Sequence, residues 1–233
     1  MSKISYTKEE ILKKLSEITV PENIYNSDII NYRGNTKDTN EKYTEVIAEE
    51  LLNNPQKYNF ENIETIYRER TYNIEHNGEY DEESPRREEL IAMKTFNSQF
   101  LYPGMGKVIN YQVPLKATKD TKAGKIDMIS YNEESDVLYL LELKNDESKE
   151  TLLRCVLEII TYLKQVDKDK LKADYGFAST TTIKPAILIF EQTRPYDDLN
   201  DRYVNKLLEK FDIDVFTATV KKEEVFYIEQ NIK

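Results

Sequence analysis

Cysteine and histidine are nearly missing from this 233-residue chain, which has one of each, Cys155 and His76. A lone cysteine cannot close an internal disulfide, and a reducing cytoplasm is the expected setting. Zinc sites need clusters of Cys or His that such a chain cannot assemble. A Ser–His–Asp or Cys–His site would rest on His76 alone, in the polar loop "EHNGEYDEESP". Cys155 stands among Leu152, Val156 and Ile159, the setting of a buried thiol rather than a nucleophile. Long apolar runs are lacking as well. None approaches the ~20 residues that cross a bilayer, and "MSKISYTKEEILKKL" has no apolar signal core, so no membrane partner is expected.

The formal net charge of −10 argues against a general nucleic-acid binder, because an acidic surface repels the phosphate backbone. Locally the balance reverses. Between Pro103 and Ile126 stand Lys107, Lys116, Lys119, Lys122 and Lys125 against Asp120. That run reads either as a basic patch or as a solvated lysine-rich hairpin.

Two zones differ in texture. Residues 1–83 read as a mostly helical, polar extension. "TKEEILKKLSEI" opens with a capping box, Thr7 to Glu10, and "NEKYTEVIAEELL" is amphipathic. "ENIETIYRERTYNI" is ambiguous between helix and strand. Residues 84–233 open with Ser84 and Pro85 ahead of the helix "RREELIAMKTFNSQF". The strands "KVINYQVPL", "GKIDMISY" and "DVLYLLELK" follow, the last two joined as a hairpin through "NEESD". The helix "SKETLLRCVLEIITYLKQV", the buried strand "PAILIFEQ", the helix "DRYVNKLLEKF" and a hairpin turning near Lys221–Glu224 complete the chain. The order predicts an α/β fold of mixed α+β character, a mixed sheet flanked by helices.

In "DVLYLLELK" side chains alternate, so Leu138, Leu140, Glu142 and Lys144 share one face of an otherwise apolar strand. An acid and a base there either pair with each other at a strand end or serve a site. The hairpin brings Asp127 of "GKIDMISY" to about the level of Glu142. Two crowded carboxylates need a cation, and oxygen ligands of this kind suit Mg²⁺.

"GKID" followed at hairpin distance by "ELK" resembles the PD-(D/E)XK nuclease superfamily, with Ile126 where the family name has proline. The resemblance covers about residues 84–192. It implies a restriction-endonuclease-like fold over 84–233 and a nuclease acting on DNA. It implies that Asp127 and Glu142 hold Mg²⁺, or Mn²⁺ in its place, with the Leu143 carbonyl as a further ligand. Lys144 then assists the attacking water. Such folds often take another Glu from the helix ahead of the sheet. Glu89 lies on that helix's stripe of Ala92, Met93, Phe96 and Phe100, with Glu88 off its edge. The alternative for Glu89 is a first-turn acid favoured by the helix dipole. RecB-like members carry Gln-x-x-x-Tyr on the following helix, where this chain has Glu158 and Tyr162. Glu158 is either an auxiliary carboxylate or half of an Arg154–Glu158 helix pair. Arg86, Arg87, Lys116, Lys125, Arg154 and Tyr162 are the candidate nucleic-acid contacts. The competing reading is a catalytically inactive binding or regulatory module on the same fold.

Overall fold

Alternating apolar runs and amphipathic segments assemble into a mixed α/β fold with one seven-stranded sheet. The computed structural model describes residues 5–76, 86–116, 123–221 and 225–230, with side chains left out at 220–227. The strands lie side by side in chain order. They are β1 (Leu101–Tyr102), β2 (Gly106–Pro114), β3 (Lys125–Asn132), β4 (Val137–Leu143), β5 (Thr182–Phe190), β6 (Asp214–Lys221) and β7 (Val225–Gln230). β1 to β4 form an antiparallel meander, β4–β5 and β5–β6 pair in parallel, and β7 returns antiparallel.

A parallel join cannot be made by a tight turn. Between β4 and β5 the chain crosses over through two helices, Leu152–Gln165 and Lys168–Tyr175; between β5 and β6 it uses Arg194–Asp197 and Arg202–Lys210. Ahead of the sheet come α1 (Lys8–Ser16), α2 (Tyr43–Asn53) and α3 (Arg87–Ser98). The crossover helices are therefore α4, α5, α6 and α7 in that order.

Every residue of β4 is buried, and alternation divides its side chains between two cores. Leu138 and Leu140 join Ile187, Ile189 and Val215 under α4 and α7. Val137, Tyr139, Leu141 and Leu143 meet Ile91, Ala92 and Met93 of α3 on the opposite face. α4 is held at its start by Thr151, whose hydroxyl accepts from the Arg154 amide at 3.1 Å.

Thr7 and Glu10 form the expected capping box on α1. The N-terminal stretch is otherwise less helical than its composition predicts. Apart from α1 and α2 its described residues hold short 3-10 turns and irregular chain; the turn Phe60–Asn62 runs into the start of "ENIETIYRERTYNI", and Ile66 makes a bridge to Val166. The reason is tertiary. Ile24, Ile30, Tyr58, Ile63 and Tyr72 bury their side chains in the same core as α4 and α7, so contacts with distant elements rather than a local period fix the chain there. Arg68 anchors the segment to the end of β2 by donating to the carbonyls of Arg70, Pro114 and Thr71, each at 2.8 Å, and of Lys116 at 3.2 Å. Ser84, Pro85, Lys119, Lys122 and the 222–224 turn lie outside the described residues. Among the described residues no helix is long and apolar enough to cross a membrane.

Candidate active site

The β3–β4 pairs run from Asn132↔Val137 to Met128↔Leu141, so the next step of the register sets Asp127 level with Glu142. Asp127 ties the two strand ends together: its Oδ2 accepts from the Leu143 amide at 2.9 Å. Its Oδ1 accepts from Gln112 Nε2 of β2 at 3.0 Å. Protein surrounds this carboxylate, yet it keeps partial exposure to a cleft of about 410 Å³. Burial pushes its pKa up to about 7, helped by Glu158 and Glu88 and opposed by Lys144 and the Leu143 amide.

Glu142 and Lys144 are 2% and 5% exposed, so this pair sits inside the protein rather than fraying at a strand end. Lys144 Nζ lies 2.5 Å from Glu142 Oε1, 2.9 Å from Glu150 Oε2 and 3.8 Å from Glu158 Oε2. Just past β4, the Lys144 amide donates to the Leu188 carbonyl at 3.0 Å, extending the ladder to β5. Burial by itself would strip the ammonium of its proton. Glu142, Glu158 and Asp127 more than reverse that and hold Lys144 charged. Burial, then Glu158, pushes Glu142 well above the carboxylate range, with Lys144 opposing.

α4 supplies the far wall. Glu158 Oε1 accepts from the Tyr162 hydroxyl at 2.8 Å, while its Oε2 stands 3.6 Å from Arg154 Nε. Arg154 also reaches Glu150 Oε1 at 3.3 Å. Four carboxylates, Asp127, Glu142, Glu150 and Glu158, thus face two cations, Lys144 and Arg154. Glu150 Oε2, Arg154 Nε and Glu158 Oε2 are buried without an aligned hydrogen-bond partner. Each nonetheless stands in an ion pair within the cluster.

Several expected site residues fall elsewhere. Tyr162 is 4% exposed and spends its hydroxyl on Glu158, so it offers no surface to a nucleic acid. Arg154 is taken up in the carboxylate network. Of the expected α3 stripe, Ala92 and Met93 are buried and Phe96 packs half-buried beside them, while Phe100 leaves it. The helix stops at Gln99 in a left-handed conformation, φ 54°, which turns Phe100 out to 62% exposure. The buried residues are Ile91, Ala92, Met93 and Thr95, and Glu88 stands three, four and seven positions before Ile91, Ala92 and Thr95. Glu88 reaches the chain just past β4, where its Oε1 accepts from Asn145 Nδ2 at 3.3 Å, and it lines the cleft together with Glu89. Glu89 borders the cleft from α3 and pairs with Arg86 at 3.2 Å.

Arg86, Arg87 and Lys125 line the cleft with Asp127, and Arg87 is braced by Asp146 at 2.8 Å. Lys116 is exposed but is not part of that lining. Gly124, the first residue of "GKID", has its own reason: a Cβ there would lie 2.1 Å from the Tyr162 hydroxyl. Gln112 and Glu150 were not foreseen from the sequence. Neither belongs to a spacing pattern, and both reach the site only through the sheet register or the loop before α4.

His76, set aside above, stacks on Tyr111 with ring centroids 3.8 Å apart. Cys155 is fully buried, and burial raises its pKa well above the thiol range, as suits an inert side chain.

Among the described residues no three His, Cys, Asp or Glu side chains stand in metal-ligand geometry. Asp127 and Glu142 are a donor pair rather than a finished cage, which is the kind of site Mg²⁺ uses, since it keeps most of its waters. Their hard oxygen donors fit such an ion. No family model matches the chain, and neither a curated protein nor a solved structure does.

Proposed function

We propose that the protein is a metal-dependent nuclease of the PD-(D/E)XK type, hydrolysing phosphodiester bonds of nucleic acid, with DNA as the first substrate to test. One observation carries this: the register sets Asp127 level with Glu142, which pairs with Lys144, and Asp127 opens on a cleft rimmed by Arg86, Arg87 and Lys125. A helix ahead of the sheet, the hairpin, the crossover helix and the parallel strand also follow the order expected of a restriction-endonuclease-like fold.

Asp127 and Glu142, with the Leu143 carbonyl, would hold the ion. Mg²⁺, or Mn²⁺ in its place, would supply a Lewis acid at the scissile phosphate and a water of lowered pKa. The chain's own residues do the rest. Lys144 is held protonated, so its part is to neutralise charge developing on the phosphate and to orient a water, not to act as a base. Arg86, Arg87 and Lys125 would steer and seat the phosphate backbone, which sets register rather than sequence preference.

A second reading, an inactive module on this fold, is favoured by the closure of Glu142 on Lys144, since neither residue lines the cleft. Plasmid and single-stranded DNA incubated with and without Mg²⁺ or Mn²⁺ decide between them. Metal-dependent cleavage that Asp127→Asn abolishes supports the nuclease. Absence of cleavage, together with no metal-induced rise in Tm, supports the module.

A further inference from the structure

We infer that Gln112 is a positioning residue for Asp127, a strained strand residue that holds that carboxylate toward the cleft; the inference rests on the nuclease reading. Gln112 lies in the middle of β2 with φ 48°, a left-handed conformation that glycine takes freely and other residues seldom adopt. The pairs Tyr111↔Met128 and Val113↔Ile126 flank it, so its level in the ladder is that of Asp127. A regular strand residue would continue the pleat there. Gln112 departs from it, and its amide donates to Asp127 Oδ1 at 3.0 Å while both side chains border the same cleft.

The Leu143 amide fixes the other oxygen of Asp127. Two donors from two neighbouring strands thus set the plane of the carboxylate, and each oxygen keeps a lone pair for a further partner. Strain kept at one residue, with that residue bound to the group that would meet a metal, is the pattern of a site organised before its ligand arrives.

The full-length protein, freed of metal by chelation, is titrated with Mn²⁺ alone as wild type, Gln112→Gly, Gln112→Leu and Asp127→Asn. Binding is read by calorimetry and by the Mn²⁺-induced rise in Tm. Gln112→Gly removes both the strain and the amide; Gln112→Leu removes only the amide. The expected result is a metal-free Tm that rises for Gly and not for Leu, with Mn²⁺ affinity about tenfold or more weaker in both. Wild-type Mn²⁺ affinity in both Gln112 variants, alongside its loss in Asp127→Asn, overturns the role of Gln112 and leaves the nuclease reading standing. No Mn²⁺ binding by the wild type overturns both.

Discussion

Replacing Lys144 with methionine keeps most of the side chain's length and deletes its charge. The change leaves Glu142, 2% exposed, without the ammonium that stands 2.5 Å from it. At that distance the gross attraction is about 7 kcal/mol for an effective dielectric near 20. The net loss is smaller, because the variant no longer desolvates an ammonium and can protonate Glu142 instead. The expected deficit at about pH 7.5 is about 3–4 kcal/mol, the usual cost of breaking a buried pair by removing one partner.

The pH dependence has a definite sign. Glu142's folded-state pKa lies above its unfolded one, more so without Lys144, so the folded state binds the extra proton and stability falls as pH rises. The deficit should shrink as pH falls toward about 5.5, because protonating Glu142 removes the charge that Lys144 neutralises. Urea unfolding of wild type and variant at the two pH values measures it. A variant within 1 kcal/mol of wild type at about pH 7.5, or a deficit that does not shrink in acid, refutes the arrangement of charges described above. Its burial makes Lys144 part of the core as well as of the candidate site.

Asp127→Asn should stabilise the metal-free protein at neutral pH. The Asp127 pKa of about 7 against the ordinary 3.8 means stability present below 3.8 is lost as pH rises through 7, so the variant should gain about 2–4 kcal/mol near pH 8 and nothing near pH 4, read by melts in chelator. Gly124→Ala drives a methyl into the Tyr162 hydroxyl and should cost about 1–3 kcal/mol, and a Tm equal to wild type would show that α4 does not seat against this turn as described. Arg68→Met leaves the carbonyls of Arg70, Thr71, Pro114 and Lys116 without their shared donor. It should cost about 2–4 kcal/mol and expose the chain before α3 to limited proteolysis, whereas an unchanged digestion pattern would deny Arg68 its anchoring role.

Strand period and turn chemistry carry much of this protein in one dimension. Period-2 alternation places Glu142 and Lys144 on one face of β4, and a hairpin of known turn length carries Asp127 to their level, because both depend only on residues near in sequence. The capping box of α1, the apolar strand β5 and the order of strands after α3 are legible for the same reason. The burial of the N-terminal segment is not. Its tyrosines and isoleucines have no period of their own, since their partners in α4 and α7 lie far along the chain. That Glu88 borders the cleft as well as Glu89 depends on how α3 is rotated about its axis, which the packing of Ile91 and Thr95 sets. Gln112 and Glu150 join the site through sheet register and loop closure, which no local pattern encodes. Sequence alone thus determined which charges an apolar strand must carry side by side. Tertiary packing decided that they are buried, that carboxylates outnumber the cations beside them, and which neighbours hold them in place.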